Sequence, residues 1–121
     1  MDTAETSALV IAGSQGHVAF SSGHDLKEVA ALQASPGGGE GAEALFSLCS
    51  ETMVAVAKAK VPTVAVVEGV CSAAGLQLAA SCDLLVGGRA SSYQTPGVLI
   101  GLFCSTPAVA LINKVVNTHT H

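Results

Sequence analysis

Residues Pro62 to Asp83 read PTVAVVEGVCSAAGLQLAASCD, and the rest of the chain is arranged around them. Thr63–Val67 is an uninterrupted run of small and β-branched apolar residues, the pattern of a strand buried in a parallel sheet. Gly69–Ser72 predicts a tight turn of small residues, with a helix opening near Ala73–Ala74 and running to about Ser81. A strand that delivers its end into the first turn of a helix aims unpaired backbone N–H groups at one point. That geometry suits a phosphate, a carboxylate or a developing oxyanion.

Upstream, Ser7–Ala12 predicts another fully buried parallel strand and Val18–Phe20 a second short one. Asp25–Gln33 predicts a short helix with Asp25 as its N-cap or first-turn acid. Ser35–Gly41 (SPGGGEG) reads as an exposed loop. Ala42–Ala59 carries a helical stripe of Leu45, Leu48, Cys49, Met53, Val56 and Ala57, and Val61–Pro62 stops it. Downstream, Cys82–Gly87 reads as a buried strand and residues 88–97 as a loop with an extended piece around Tyr93. The last element is a helix over Thr106–Lys114, with Ser105 or Thr106 as cap and Pro107 in its first turn. Strands alternating with helices make this an α/β chain with largely parallel pairing.

Composition narrows the function. The 121 residues suffice for one domain, are 50% hydrophobic and only 12% charged, and have a mean hydropathy of +0.55. That is high for a lone soluble domain and predicts apolar faces awaiting a partner or further sequence. A net charge of -4 with scattered basic residues argues against nucleic acid as a partner. Pro96 and Pro107 interrupt the uncharged run Ala90–Asn113, so no membrane span is expected. Cys49, Cys71, Cys82 and Cys104 form no C-x-x-C pair and are expected to be small buried hydrophobes. No metal site is expected, and His17, His119 and His121 read as loop or tail residues.

The familiar catalytic templates fail. Gly13-Ser14-Gln15-Gly16 is not a dinucleotide fingerprint, and neither a Walker A run nor a G-x-S-x-G elbow occurs. What remains is a pair of small-residue turns after apolar strands, Ser21-Ser22-Gly23-His24 and Ser72-Ala73-Ala74-Gly75. One N–H from each could converge on a carbonyl oxygen. The carboxylates near that point are sparse: Glu68 precedes the second turn, Gln77 follows it, and no acid comes until Asp83.

Three segments carry a resemblance. VAFSSGHDLKEV is similar to A-F-x-A-G-x-D-[LI] of the crotonase (enoyl-CoA hydratase/isomerase) superfamily. KVPTVAVVEGVCSAAGLQLAASCDLLVGG resembles its K-P-[TV]-[IV]-A-x-[VI]-x-G-x-x-x-G-G-G-x-E-L-A-x-x-C-D segment, and SSYQTPGVLIGLFCSTPAVAL its F-x-x-P-E-x-x-[LI]-G-[LI] segment. The match spans about residues 7–112, with 113–121 divergent, and is most like the mitochondrial enoyl-CoA hydratase domain-containing branch. It implies a single, incomplete crotonase-like ββα spiral over residues 1–121, and a CoA thioester as ligand with no separate cofactor. It also implies trimers or dimers of trimers, fatty-acid metabolism and a mitochondrial location. The acidic, Arg-free MDTAETSA does not look like a presequence, which leaves the cytoplasm as the alternative. Family members run to roughly twice this length, so a truncated chain is expected.

The resemblance also assigns residues. The thioester oxygen would accept from the backbone N–H groups of His24 and Ala74. Ser22, Asp25, Leu26 and Lys27 would lie along the CoA moiety, and Ala73, Pro96 and Leu102 would complete the ligand site. The two family glutamates fall at Gln77 and Gly97, so the acid and base that add water are absent, a loss of about 10²–10⁴-fold each. Binding without efficient hydration is the leading expectation. A non-enzymatic fragment pairing with full-length relatives is the alternative. A serine hydrolase using Ser72 or Ser22 with His24 is a third.

Overall fold

The computed structural model describes residues 6–14, 16, 18–101 and 105–117. Its order is β1 (Leu9–Ala12), β2 (Ala19–Ser21), α1 (Leu26–Ala34), α2 (Gly38–Ala57), β3 (Thr63–Val67), β4 (Val70–Ser72), α3 (Ala74–Ser81), β5 (Leu84–Gly87), β6 (Ser92–Gln94) and α4 (Ser105–Asn117). A 3-10 turn at Pro96–Ile100 lies between β6 and α4. Two strands followed by helix therefore repeat along the chain. The first strands of the repeats form one parallel sheet, β1-β3-β5, and the second strands another, β2-β4-β6. Such winding is a ββα spiral. Register runs Val64 beside Val10 and Leu84 in the first sheet, and Cys71 beside Ser21 and Tyr93 in the second.

The expected turn at Gly69–Ser72 is in part a strand. The chain bends at Gly69, and Val70–Ser72 crosses into the second sheet as β4. A three-residue strand carries no periodicity of its own; its neighbours Ala19–Ser21 and Ser92–Gln94 define it. The predicted glycine-rich loop is shorter than expected. Gly37 takes a left-handed φ of 75°, and the helix begins at Gly38, with Glu40 in its first turn where the dipole favours an acid. The last helix likewise extends beyond Lys114, to Asn117.

Ala65, Val67, Cys71, Leu76, Ala79 and Cys82 make the core, with Ile11, Phe20, Val56 and Leu111 packed around it. These are mostly small side chains, which lets α3 lie close on β3 and β4. Two strands expected to be buried are not. Val10 in β1 is 60% exposed and Leu84 in β5 is 60% exposed. Both strands lie at the edge of their sheet, and among the described residues each pairs with β3 alone. An apolar run signals a strand suited to burial, while burial itself needs a layer on each side. Of the cysteines, Cys71 and Cys82 are buried as expected and Cys49 is half-buried; Cys104 lies outside the described residues. Burial pushes both buried thiols up in pKa.

Candidate active site

The loop after β2 and the start of α3 meet. A Cβ added to Gly23 would sit 3.1 Å from both the Ala74 amide nitrogen and the Ala73 Cβ. Gly23 has a φ of 93°, so glycine is required there for space and for backbone alike. Just behind, a Cβ on Gly75 would fall 2.5 Å from the Ser21 carbonyl oxygen, which leaves room for glycine alone. The Ser21 hydroxyl accepts from the Gly23 N–H at 3.2 Å and fixes the loop's course.

Ala73 holds the corner. At φ 51° and ψ -124° it is the one non-glycine residue with positive φ among those described. Its N–H donates to the Gln94 carbonyl at 3.1 Å, tying the corner to β6. Such backbone costs about 1–3 kcal/mol and persists where surroundings enforce it. No side chain caps α3. Neither the Ala74 N–H nor the His24 N–H donates to another group among the described residues. Both residues line one cleft, and Ala74 stands at the positive end of the α3 dipole.

The cleft measures about 940 Å³. Ser22, His24, Asp25, Leu26, Ala73 and Ala74 line it on one side, and Gln77, Pro96 and Gly97 on another. Nine of the expected site residues therefore come together. Lys27 does not line the cleft; its backbone N–H donates to Asp25 Oδ1 at 2.8 Å, the N-cap bond of α1. Leu102 lies outside the described residues, as do His17, His119 and His121.

The cleft also holds residues that sequence reasoning missed. Phe46 from α2 meets the His24 ring edge to face, with centroids 5.2 Å apart. Leu99 comes from the 3-10 turn, and Ser105, Thr106 and Pro107 from the first turn of α4. These positions come from elements distant in sequence. The helical stripe in α2 gave no sign that Phe46, beside the stripe, would reach His24.

Acid is scarce here. Asp25 is the one carboxylate among the described lining residues, and its oxygen is engaged in capping α1. The Glu68 carboxylate lies against Gly88 instead. Asp83 stands at the far end of α3, where its Oδ2 accepts from the Thr63 N–H at 2.8 Å and from the Thr63 hydroxyl at 2.9 Å. Those donors hold its carboxyl below the usual aspartate range. The hydrolase pairing finds no support in geometry. The buried Ser72 hydroxyl donates to the Ser22 carbonyl at 3.4 Å, and neither serine hydroxyl bonds His24 among the described residues. No group of three His, Cys, Asp or Glu that could hold a metal occurs among them.

Fold and site together place the chain in a known class. A family model described as enoyl-CoA hydratase/isomerase matches residues 1–120, and the chain belongs to that family, as a part of its crotonase-like spiral. The relatives it resembles include enoyl-CoA hydratase domain-containing protein 3, mitochondrial, of Rattus norvegicus. Identity to that protein is 50% over 103 residues, covering 85% of this chain and 33% of the relative. The Homo sapiens protein of the same name is 47% identical over 107 residues, covering 88% and 34%. The crystal structure of the human protein superposes with a TM-score of 0.74 at 42% identity, covering 88% of this chain and 40% of that one. An enoyl-CoA hydratase from Mycobacterium smegmatis gives a TM-score of 0.75 at 44% identity, covering 88% and 39%. The chain spans about a third of the length of the curated relatives it matches. Among the described residues no helix is long and apolar enough to cross a membrane.

Proposed function

We propose that this protein binds acyl-CoA thioesters through the backbone N–H groups of His24 and Ala74 and hydrates them poorly or not at all. The observation that carries this reading is the composition of the cleft. His24 and Ala74, whose amides have no other acceptor among the described residues, both line it, and the positions that resemble the family's glutamates are Gln77 and Gly97. An oxyanion hole of backbone donors needs no particular side chain, so the change to Ala74 leaves it intact. Adding water needs a group that takes its proton, and an amide near neutral pH does not. The resemblance to relatives named mitochondrial favours that location and a part in fatty-acid metabolism.

The test pairs two measurements on the purified chain. Calorimetric titration should show a CoA thioester binding more tightly than free CoA. A hydration assay with crotonyl-CoA should give turnover about 10²-fold or more below that of a glutamate-bearing family member. Equal affinity for the thioester and free CoA, or efficient hydration, would overturn the reading.

Exposed Val10, Leu84 and Val86 on the edge strands favour a second reading, a non-enzymatic module that joins full-length relatives. It predicts co-elution with such a relative. A stable, monodisperse 12.0 kDa monomer that ignores it would exclude this role.

A further inference from the structure

Of the described residues lining the cleft, two carry ionisable side chains, His24 and Asp25. The Asp25 carboxylate is engaged at the start of α1, where Oδ1 accepts from the Lys27 N–H. Among the side-chain types in the lining, imidazole alone takes up and releases a proton near neutral pH. His24 is half-buried, and its ring meets Phe46 of α2 edge to face with centroids 5.2 Å apart. Aromatic pairs prefer this geometry, so the contact favours one setting of the imidazole. The ring nitrogens of His24 bond no group among the described residues, which leaves them open to a ligand or to water.

We infer that the His24 imidazole is the general base of a thioester hydrolysis, in which this protein converts acyl-CoA to free acid and CoA. The inference rests on the thioester reading above, in which the N–H groups of His24 and Ala74 hold the carbonyl oxygen. What decides it is where a base stands along the acyl group. Hydration places water on the carbon β to the carbonyl, and the positions that resemble the family's glutamates hold Gln77 and Gly97. Hydrolysis needs its base beside the carbonyl carbon, and the imidazole belongs to the very residue whose N–H holds that carbonyl. Water attacks the carbonyl carbon, forming the new C–O bond while its proton passes to the imidazole. The oxyanion that results is stabilised by the two amides. Its collapse breaks the C–S bond, and the imidazolium returns the proton to the departing CoA sulfur. Water is the only co-reactant, and Ser22 and the 84% exposed Leu99 leave the cleft open to it. Neither Ser22 nor Ser72 bonds His24 among the described residues, which favours water over serine as the nucleophile. No step involves the β carbon, so saturated thioesters are substrates.

The test follows release of the CoA thiol from butyryl-CoA by the full chain over many turnovers. Butyryl-CoA has no double bond to hydrate, so thiol release reads hydrolysis alone. The wild-type chain should release thiol faster than solvent does. His24→Ala, which keeps the backbone N–H, should lower kcat about 10²-fold or more and change KM far less. Imidazole added to that variant should restore part of the lost turnover, because a base from solution can enter the space the ring leaves. His24→Gln, which fills that space without a base, should be as slow as His24→Ala and carries the test if the first variant fails to fold. If butyryl-CoA binds and the wild-type chain releases no thiol above the solvent rate, the inference falls and the thioester reading stands. If no thioester binds more tightly than free CoA, both fall. Wild-type turnover in either variant, or a loss in His24→Ala that imidazole leaves unchanged, overturns the assignment of His24.

Discussion

The two ends of α3 are built on opposite rules. At its C-terminal end Thr63 and Asp83 bond each other through backbone and side chain. The Thr63 hydroxyl donates to the Asp83 carboxylate and accepts from the Asp83 N–H, each at 2.9 Å, while Lys114 covers the carbonyls of Cys82 and Asp83. At its N-terminal end Ala73 is strained, no side chain caps the helix, and the Ala74 N–H donates to no described group. Eight residues separate a bonded knot from an uncapped corner. The knot closes β3 onto β5 and holds α4, and so supplies rigidity to the corner at the other end of the helix.

The largest expected effect comes from giving the corner the chemistry it lacks. The double variant Gln77→Glu with Gly97→Glu should raise crotonyl-CoA hydration by about 10²-fold or more, read as turnover at saturating substrate. If turnover stays at background while binding persists, the remaining frame is misplaced for chemistry, and more than two carboxylates separate holding from hydration. Next is Gly75→Val, which drives a side chain into the Ser21 backbone. It should cost about 3 kcal/mol in urea denaturation and abolish ligand binding.

The knot is tested by Thr63→Val, which leaves the Asp83 N–H and carboxylate without the buried hydroxyl. A loss of about 1–3 kcal/mol is expected, with ligand affinity little changed in whatever fraction stays folded. Acid probes the same contact. Because the Asp83 carboxyl is held below its ordinary range, folding favours its charged form. Its contribution is complete above the unfolded aspartate value and disappears as pH falls through the lower, folded one. Melting temperature should therefore drop across that acidic window, and less steeply in Asp83→Asn. The smallest effect belongs to Ala73→Gly. Relief of positive φ, offset in part by glycine's flexibility, should stabilise by about 1 kcal/mol or less in the same denaturation experiment.

Much of the frame could be read from residue order, and the failures have physical causes. Thr63–Val67 was plain because a parallel strand with covered faces is apolar throughout. The ends of α2 were not, since three successive glycines weigh against a helix until Gly37 turns left-handed and the chain docks. Exposure of β1 and β5 was missed because apolar runs report what a strand could bury, while the layers around it determine what is buried. At the site, small-residue turns revealed where Gly23 meets Ala73 and Ala74, as close backbone approach demands small side chains. Phe46, Ser105 and Thr106 were hidden because the spiral, rather than sequence spacing, brings α2 and α4 to the cleft.

The central claim is that His24 and Ala74 polarise a thioester carbonyl from their backbones. Infrared difference spectroscopy of a thioester labelled with carbon-13 at the carbonyl tests it most directly. The account predicts a carbonyl stretch shifted to lower frequency on binding, in the wild-type chain and in Gln77→Ala alike. A bound thioester whose carbonyl stretch matches that of free ligand in water would contradict it.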